Sequence, residues 1–408
     1  MTSDSGNQTT LEVSGSIAED PTPPPPRSLK QLLRRDYGVL PMLLGFVIIG
    51  VIFQSMSPTF LTSRNLANLG TEAAAVGIIA LGMVFVLLVA QIDLSVGSMA
   101  GVSSAIIGVL IVQQGWSLGI AFLVVVATAL LTGATYGFLY VRFRVASFVS
   151  SMAGLLVLAG IHLLLLKDGS INLPYDSLLV EASQDWYLPA WLSYGLVAVG
   201  VLVWTISTLA RRHRRIAMGL KSISLVLAIV RAVIVLLVLE LVVWYLNLSM
   251  GVSFQFTLLI VAILGANFFL VRTRWGRDLY AVGGNAEAAR RAGINTSMVT
   301  MGAFMTCSVL AAIGGMMIAG RLASSSLTLG AGDLNLQAIA AAVIGGTSLF
   351  GGRGNALTAL LGVMIITSIS SGLNLLSLGA PIQNIVTGTV LVLAVVADAV
   401  ANKSRERS

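Results

Sequence analysis

Twelve long apolar runs constrain this chain more than any other feature. They lie at 37–56, 73–90, 94–112, 118–141, 145–166 and 189–210, and then at 232–250, 251–271, 298–320, 334–350, 356–380 and 381–397. A helix needs ~17–25 apolar residues to cross ~30 Å of hydrocarbon. Lipid offers no partner to a bare backbone N–H or C=O, so each spanning segment must satisfy its own hydrogen bonds. Only 10% of the residues are charged, against ~25% in soluble domains, so the bilayer must act as solvent. The expected fold class is therefore an all-α polytopic membrane protein with about twelve transmembrane helices. The 334–350 run is short and rich in glycine, and it predicts a broken or re-entrant element.

Basic residues set the orientation. With the N-terminus inside, 21 of the 24 Lys and Arg fall on inner segments, and only Arg64, Lys167 and Arg321 fall outside. Lys and Arg accumulate on cytoplasmic loops, so both termini are expected to be cytoplasmic. The net charge of +7 then reflects topology and not a nucleic-acid partner. Residues 1–36, with Pro23–Pro26, predict a disordered cytoplasmic tail, and 401–408 a second tail. No secretory signal peptide is expected. The segment 167–188 predicts an outer loop carrying Asp168, Asp176, Glu181 and Asp185. Trp186, Tyr187, Trp191, Trp244 and Tyr245 fit an interfacial aromatic belt. Residues 211–231 predict an inner loop or interfacial segment before a helix that begins near Ala232.

The chemistry an enzyme needs is missing. Cys307 is the one cysteine, and His162 and His213 are the two histidines. No metal site or cofactor is expected from them. There is no GxxxxGK[ST] loop, so ATP cannot bind by that route. There is also no HExxH and no nucleophile elbow.

The sharpest positive feature is the inner segment 272–297. Asn285 is a good N-cap and Glu287 suits the first turn of a helix. Ala286, Ala288, Ala289 and Ala292 favour helix, and Gly293 can close it as the C′ residue. A helix of two turns follows, bounded by Gly284 and Gly293. Its small face lets a partner's groove approach, and Arg290 and Arg291 offer charged contacts. An ordinary solvated loop is the plainer reading.

Two further segments interrupt apolar runs. Gln91–Ser98 places Asp93 at or near the membrane, where an acid is a candidate functional group. Ser95 and Gly97 allow a break in the helix. Asp93 can instead be the N-cap of a helix beginning near Leu94. Gly345–Asn355 predicts a tight or re-entrant loop that permits close backbone approach, and Gly346 and Thr347 join Asp93, Ser95, Gly97 and Glu72 as candidates for the translocation path or its gate. Both breaks precede an apolar helix, which hints at an internal repeat. Glu72, near the outer end of a span, is a candidate outer gate. The pairs Gly97/Gly101 and Gly133/Gly137, with Ala311/Gly315/Ala319, predict close helix packing.

Several of these motifs together resemble the permease subunits of bacterial monosaccharide ABC importers, the ribose, galactose and xylose permeases. They are Ala80–Val86, Ile92–Ser98, Tyr280–Asn285 with Glu287–Arg290, Gly293–Asn295 and Ile344–Leu349. The likeness spans roughly 37–400, and the additional material at about 170–250 resembles the xylose-type branch. Gln91 stands where that branch carries an acid, which leaves the sugar open. The resemblance implies two permease copies around a pore. It also implies a cytoplasmic ATPase with two nucleotide-binding domains, docked on 285–292, and a periplasmic or surface sugar-binding protein. Its rivals are a proton-coupled secondary transporter and an intramembrane enzyme, for which Glu72, Asp93 and Glu240 are too scattered.

Overall fold

The computed structural model describes residues 40–406 apart from 168, 221, 331 and 332. The tail expected at 1–36, the first residues of the opening run, Asp168, Lys221 and the last two residues lie outside the described residues.

The chain enters as α1 (Leu40–Met56), α2 (Ser63–Leu88) and α3 (Val96–Gly108), which ends in a π turn at Val109–Gln113. Next come α4 (Leu118–Phe143), α5 (Ser147–Leu165), a strand β1 (Ile171–Asn172) and α6 (Leu178–Gln184). Then follow α7 (Ala190–Ala217), α8 (Leu225–Asn247), α9 (Phe254–Arg272), α10 (Arg274–Gly284) and α11 (Ala286–Arg291). The last elements are α12 (Thr296–Leu322), β2 (Ser324–Ser325), α13 (Leu334–Ile344), α14 (Ala356–Leu375) and α15 (Ala380–Glu406). Among the described residues nine helices are long and apolar enough to cross a membrane, while α1, α13 and α15 supply shorter apolar stretches.

Helix burial sorts these spans into two tiers. The most apolar window of α2 is 94% buried, and those of α3, α14 and α12 are 72%, 72% and 56% buried. The windows of α4, α5, α7, α8 and α9 are only 11–22% buried. An inner group is thus wrapped by helices whose apolar faces remain for lipid. Small residues make the inner packing close. A Cβ on Gly315 of α12 would stand 2.2 Å from the Ala100 carbonyl of α3, and one on Gly133 of α4 2.5 Å from Met305 Cα. Such pairs let helix backbones touch where lipid gives no hydrophobic drive for association.

Three expectations change. The outer loop is folded: β1 pairs antiparallel with β2, and α6 lays Leu179 and Ser183 against Gly320 of α12. The basic segment after 211 is helical, because α7 continues through its arginines to Ala217 and α8 starts at Leu225, not near Ala232. Arginine is a good helix former, and Ser224 caps α8 by accepting from the Leu227 N–H. The tail from 401 continues α15 to Glu406.

Candidate functional site

The segment expected to dock a partner, α11, is a short helix between two well-defined ends. Asn285 accepts the Ala288 N–H at 2.9 Å, capping α11. At the other end Gly293 has φ +86°, its N–H donates to the Arg290 carbonyl, and the Ile294 N–H donates to that of Ala289. These two bonds with a left-handed C′ residue form a Schellman closure, a conformation that suits glycine. Six residues span about 9 Å at 1.5 Å per residue. Ala289 is buried, while Glu287, Arg290 and Arg291 are exposed. Both arginines fold back on Glu287, at 2.8 and 3.3 Å. Exposed pairs of this kind hold weakly, so the three side chains can exchange partners cheaply.

Helix α10 was not foreseen. Its strongly amphipathic sequence buries Leu279 and Val282, and Thr273 caps it by accepting the Gly276 N–H. Trp275 stacks on Phe85 of α2, with ring centroids 5.8 Å apart. The Tyr280 hydroxyl donates to the Gly354 carbonyl at 2.9 Å. Burial pushes that hydroxyl above its ordinary range, so it stays a donor. The tyrosine and tryptophan in 272–284 were the available signal, because a solvated loop has no use for buried aromatic rings.

Three backbones meet where α10 ends. The Leu88 carbonyl at the end of α2 accepts the Gly352 N–H at 2.9 Å. Gly283 lies so close that a Cβ there would be 1.7 Å from the Leu88 oxygen and 2.5 Å from the Gly352 nitrogen. A Cβ on Gly351 would meet Ala90 Cβ at 2.6 Å and the Gly283 oxygen at 2.8 Å. No side chain fits between them. The end of α10, the inner helix α2 and the glycine loop thereby meet backbone to backbone.

Asp93 lies in the break just beyond this junction, fully buried. Its Oδ1 accepts both the Ser95 N–H at 2.8 Å and the Ser95 hydroxyl at 2.6 Å. Helix α3 starts at Val96 with Ser95 at its N-cap position, so Asp93 is not the N-cap. Its carboxylate instead closes a local turn two residues ahead. Serines of α5 hold the same segment: the Ile92 N–H donates to Ser147 and the Ser151 hydroxyl donates to the Ile92 carbonyl. Asp93 Oδ2 and the Tyr136 hydroxyl on α4 have no hydrogen-bond partner among the described residues. The Gly97 N–H donates to Asn335 Oδ1 at the start of α13. Asn335, a polar residue inside an apolar run, was a signal that spacing alone left unread.

The remaining candidates separate into two places. Gly346, with φ +84°, closes α13, since its N–H donates to Val343 and the Thr347 N–H to Ala342. Thr347 is buried beside Gly354, and its Oγ1 has no partner among the described residues. Gly346 faces Met42 and Thr358, while Thr347, beside Gly354, belongs to the junction. Glu72 does not. It sits sixteen residues up α2 from Leu88, about 24 Å at 1.5 Å per residue, and its carboxylate is 4.0 Å from Arg321 of α12. Among the described residues no group of three His, Cys, Asp or Glu is placed to hold a metal ion.

A family model described as the branched-chain amino acid transport system permease component matches residues 65–395. The xylose transport system permease protein of Escherichia coli K12 is 35% identical over 366 residues, covering 90% of this chain and 92% of its own. The xylose permease protein of Haemophilus influenzae is 32% identical, covering 89% and 96%. The ribose import permease protein of Escherichia coli K12 is 29% identical, covering 87% and 92%. No solved structure matches.

Proposed function

The chain belongs to the permease family of the branched-chain amino acid transport type, and on that premise we propose that it is the membrane subunit of an ATP-driven monosaccharide importer, carrying D-xylose or a related pentose. It is a multi-pass protein of the bacterial inner membrane with both termini cytoplasmic. Two copies enclose the sugar path. A separate ATPase with two nucleotide-binding domains docks on α11, and a sugar-binding protein delivers cargo to the end that carries β1 and β2. The chain itself performs no catalysis.

The observation that carries this reading is the backbone junction. A push on α11 reaches α10 without a flexible side chain between them, and Gly283 passes it to the Leu88 carbonyl and Gly352. The motion then arrives at the Asp93 break, where α3 begins, and at the Gly346–Thr347 turn, where α13 ends. Asp93, Ser95 and Gly97 are buried within one protomer, so their part in the path is to hold the break. Glu72 with Arg321, half-buried at the far end of α2, is the outer gate. Rigid movement of this kind is how a packed bundle alternates access around a fixed site.

Glu287→Lys and Gly293→Val should each abolish sugar uptake while the protein still reaches the membrane in normal amount. Normal uptake by both would sink the docking assignment. One observation favours a second reading: a buried acid with an unpartnered oxygen, Asp93, suits a proton route. Uptake that collapses with an uncoupler while ATP is held constant would favour that rival.

A further inference from the structure

The α7–α8 hairpin stands apart from the rest of the bundle, and its two ends are treated differently. At the end near β1 and β2 it is pegged. Ser63 and Ser249 share a hydrogen bond at 2.6 Å, the Tyr245 hydroxyl donates to the Leu61 carbonyl at 2.8 Å, and the Leu188 and Phe254 N–H groups bond across the connecting segments. At the opposite end, among the described residues, no hydrogen bond or ion pair ties 208–231 to any other element. The contacts there are internal: Arg211 to the Thr208 hydroxyl, and Arg212 to the Ile223 carbonyl, which closes the turn.

That unpegged end carries Arg211, Arg212, Arg214, Arg215 and Arg231, and no acid occurs between Asp185 and Glu240. Arg212 is used by the turn. Arg211, Arg214 and Arg215 are exposed and share one helix face at i, i+3 and i+4. Arg231 is exposed on α8. Depth decides what meets them. Arg211 comes 21 residues after Ala190, about 32 Å along α7, so with the start of α7 at one face the guanidinium groups arrive at the headgroups of the other. Exposed Leu202, Val203 and Ile206 lead up to them along the lipid side.

We propose that the cytoplasmic end of the α7–α8 hairpin is a binding site for anionic phospholipid, with Arg211, Arg214, Arg215 and Arg231 as ligands of the headgroup phosphate. A planar guanidinium matches a phosphate in two-point fashion, and basic residues just cytoplasmic of a span gain attraction from the anionic leaflet. The lipid tethers at its inner end a hairpin whose hydrogen bonds to the rest of the bundle, among the described residues, lie at its outer end.

The test uses the full chain, purified with its partners and reconstituted in phosphatidylcholine with or without phosphatidylglycerol or cardiolipin, then stripped with mild detergent. Native mass spectrometry reads the lipid that stays. The parent should retain phosphatidylglycerol or cardiolipin selectively over phosphatidylcholine. The triple variant R211Q/R214Q/R215Q should lose it, at about fivefold per arginine. The charge-keeping triple variant to Lys should retain an intermediate amount, and it guards against a triple Gln variant that inserts wrongly. Arg142→Gln with Arg144→Gln, at another inner helix end, should change nothing. Equal retention by the Gln variant and the parent would overturn the site, as would equal loss in the Arg142/Arg144 control. So would loss of the ATPase with lipid retention intact, since the arginines would then serve a protein partner.

Discussion

The two breaks in the helical scaffold, Val89–Ser95 and Gly345–Asn355, look alike in sequence but differ in what mainly holds them. The first is fixed by side chains: Asp93 on Ser95, Ser147 and Ser151 on Ile92, and Gln91 on the Tyr140 hydroxyl. Its one left-handed residue is Ala90, at φ +57°. The second leans on its glycine backbone, with the Ser348, Asn355 and Thr358 side chains also bonding to it. Gly346, Gly351 and Gly352 are all left-handed, and Gly352 donates to Leu88 while Gly354 accepts from Tyr280. A break deep among helices must satisfy its freed backbone with the polar side chains around it. A break that has to touch two other backbones must shed its side chains instead. The two are complementary, and they meet at the Leu88 carbonyl.

That contrast can be broken at the point of contact first. Gly283→Val places side-chain atoms where Leu88 and Gly352 already touch, so the junction must open. Uptake should fall at least tenfold while ATP hydrolysis by the assembled complex continues, read by sugar uptake and phosphate release on the same proteoliposomes. Uptake within twofold of the parent would remove the junction from the coupling path.

Asp93 separates the two designs next. Asp93→Ala leaves the Ser95 N–H buried and unpaired, at a cost of ~1–3 kcal/mol. Asp93→Asn keeps an acceptor and should cost less. Thermal unfolding in detergent should rank them parent, Asn, Ala. If the Asn variant falls as far as Ala, the charge matters more than the hydrogen bond.

The backbone-held break predicts a reversal of sign. Gly352→Ala forces a left-handed alanine, roughly 1–2 kcal/mol unfavourable, against Gly284, whose Cα would be 2.8 Å from the new Cβ. Ala90→Gly relieves the same conformation and should leave stability unchanged or raised. The same melting series reads both, and equal loss in the two would show that conformation is not what distinguishes them. The smallest effect belongs to Tyr280→Phe, which removes one hydrogen bond to Gly354, worth ~1 kcal/mol. Stability should drop slightly, and uptake should persist.

How much of this was legible differs from residue to residue. The α11 helix was readable end to end, because Asn285, Glu287 and Gly293 act within one turn of their own position. The small pairs Gly133/Gly137 and Gly315 announced close packing without saying on what; Met301, Met305 and Ala100 are the partners. Asp93 was read either as a functional acid or as a cap and is a turn closure on Ser95, because helix start and turn differ by two residues that periodicity does not resolve. Glu72 was read as an outer-gate candidate without a partner, and the bundle sets it beside Arg321, a residue that only the charge count had noticed. Helix α10 and the folded outer segment were missed because short amphipathic pieces depend on a surface to lie against.

By itself the sequence determined the class of solvent, the run of apolar helices, the charge bias and the ends of α11. Each of these follows from hydropathy, charge or local hydrogen bonding within a few residues. Only the tertiary structure decided which helices form the inner group, that Gly283, Leu88 and Gly352 share one point, and that one hairpin is pegged at a single end. Those are contacts between segments tens to hundreds of residues apart. Glycine and alanine permit them without specifying them, since a residue that makes room carries no mark of what will fill it.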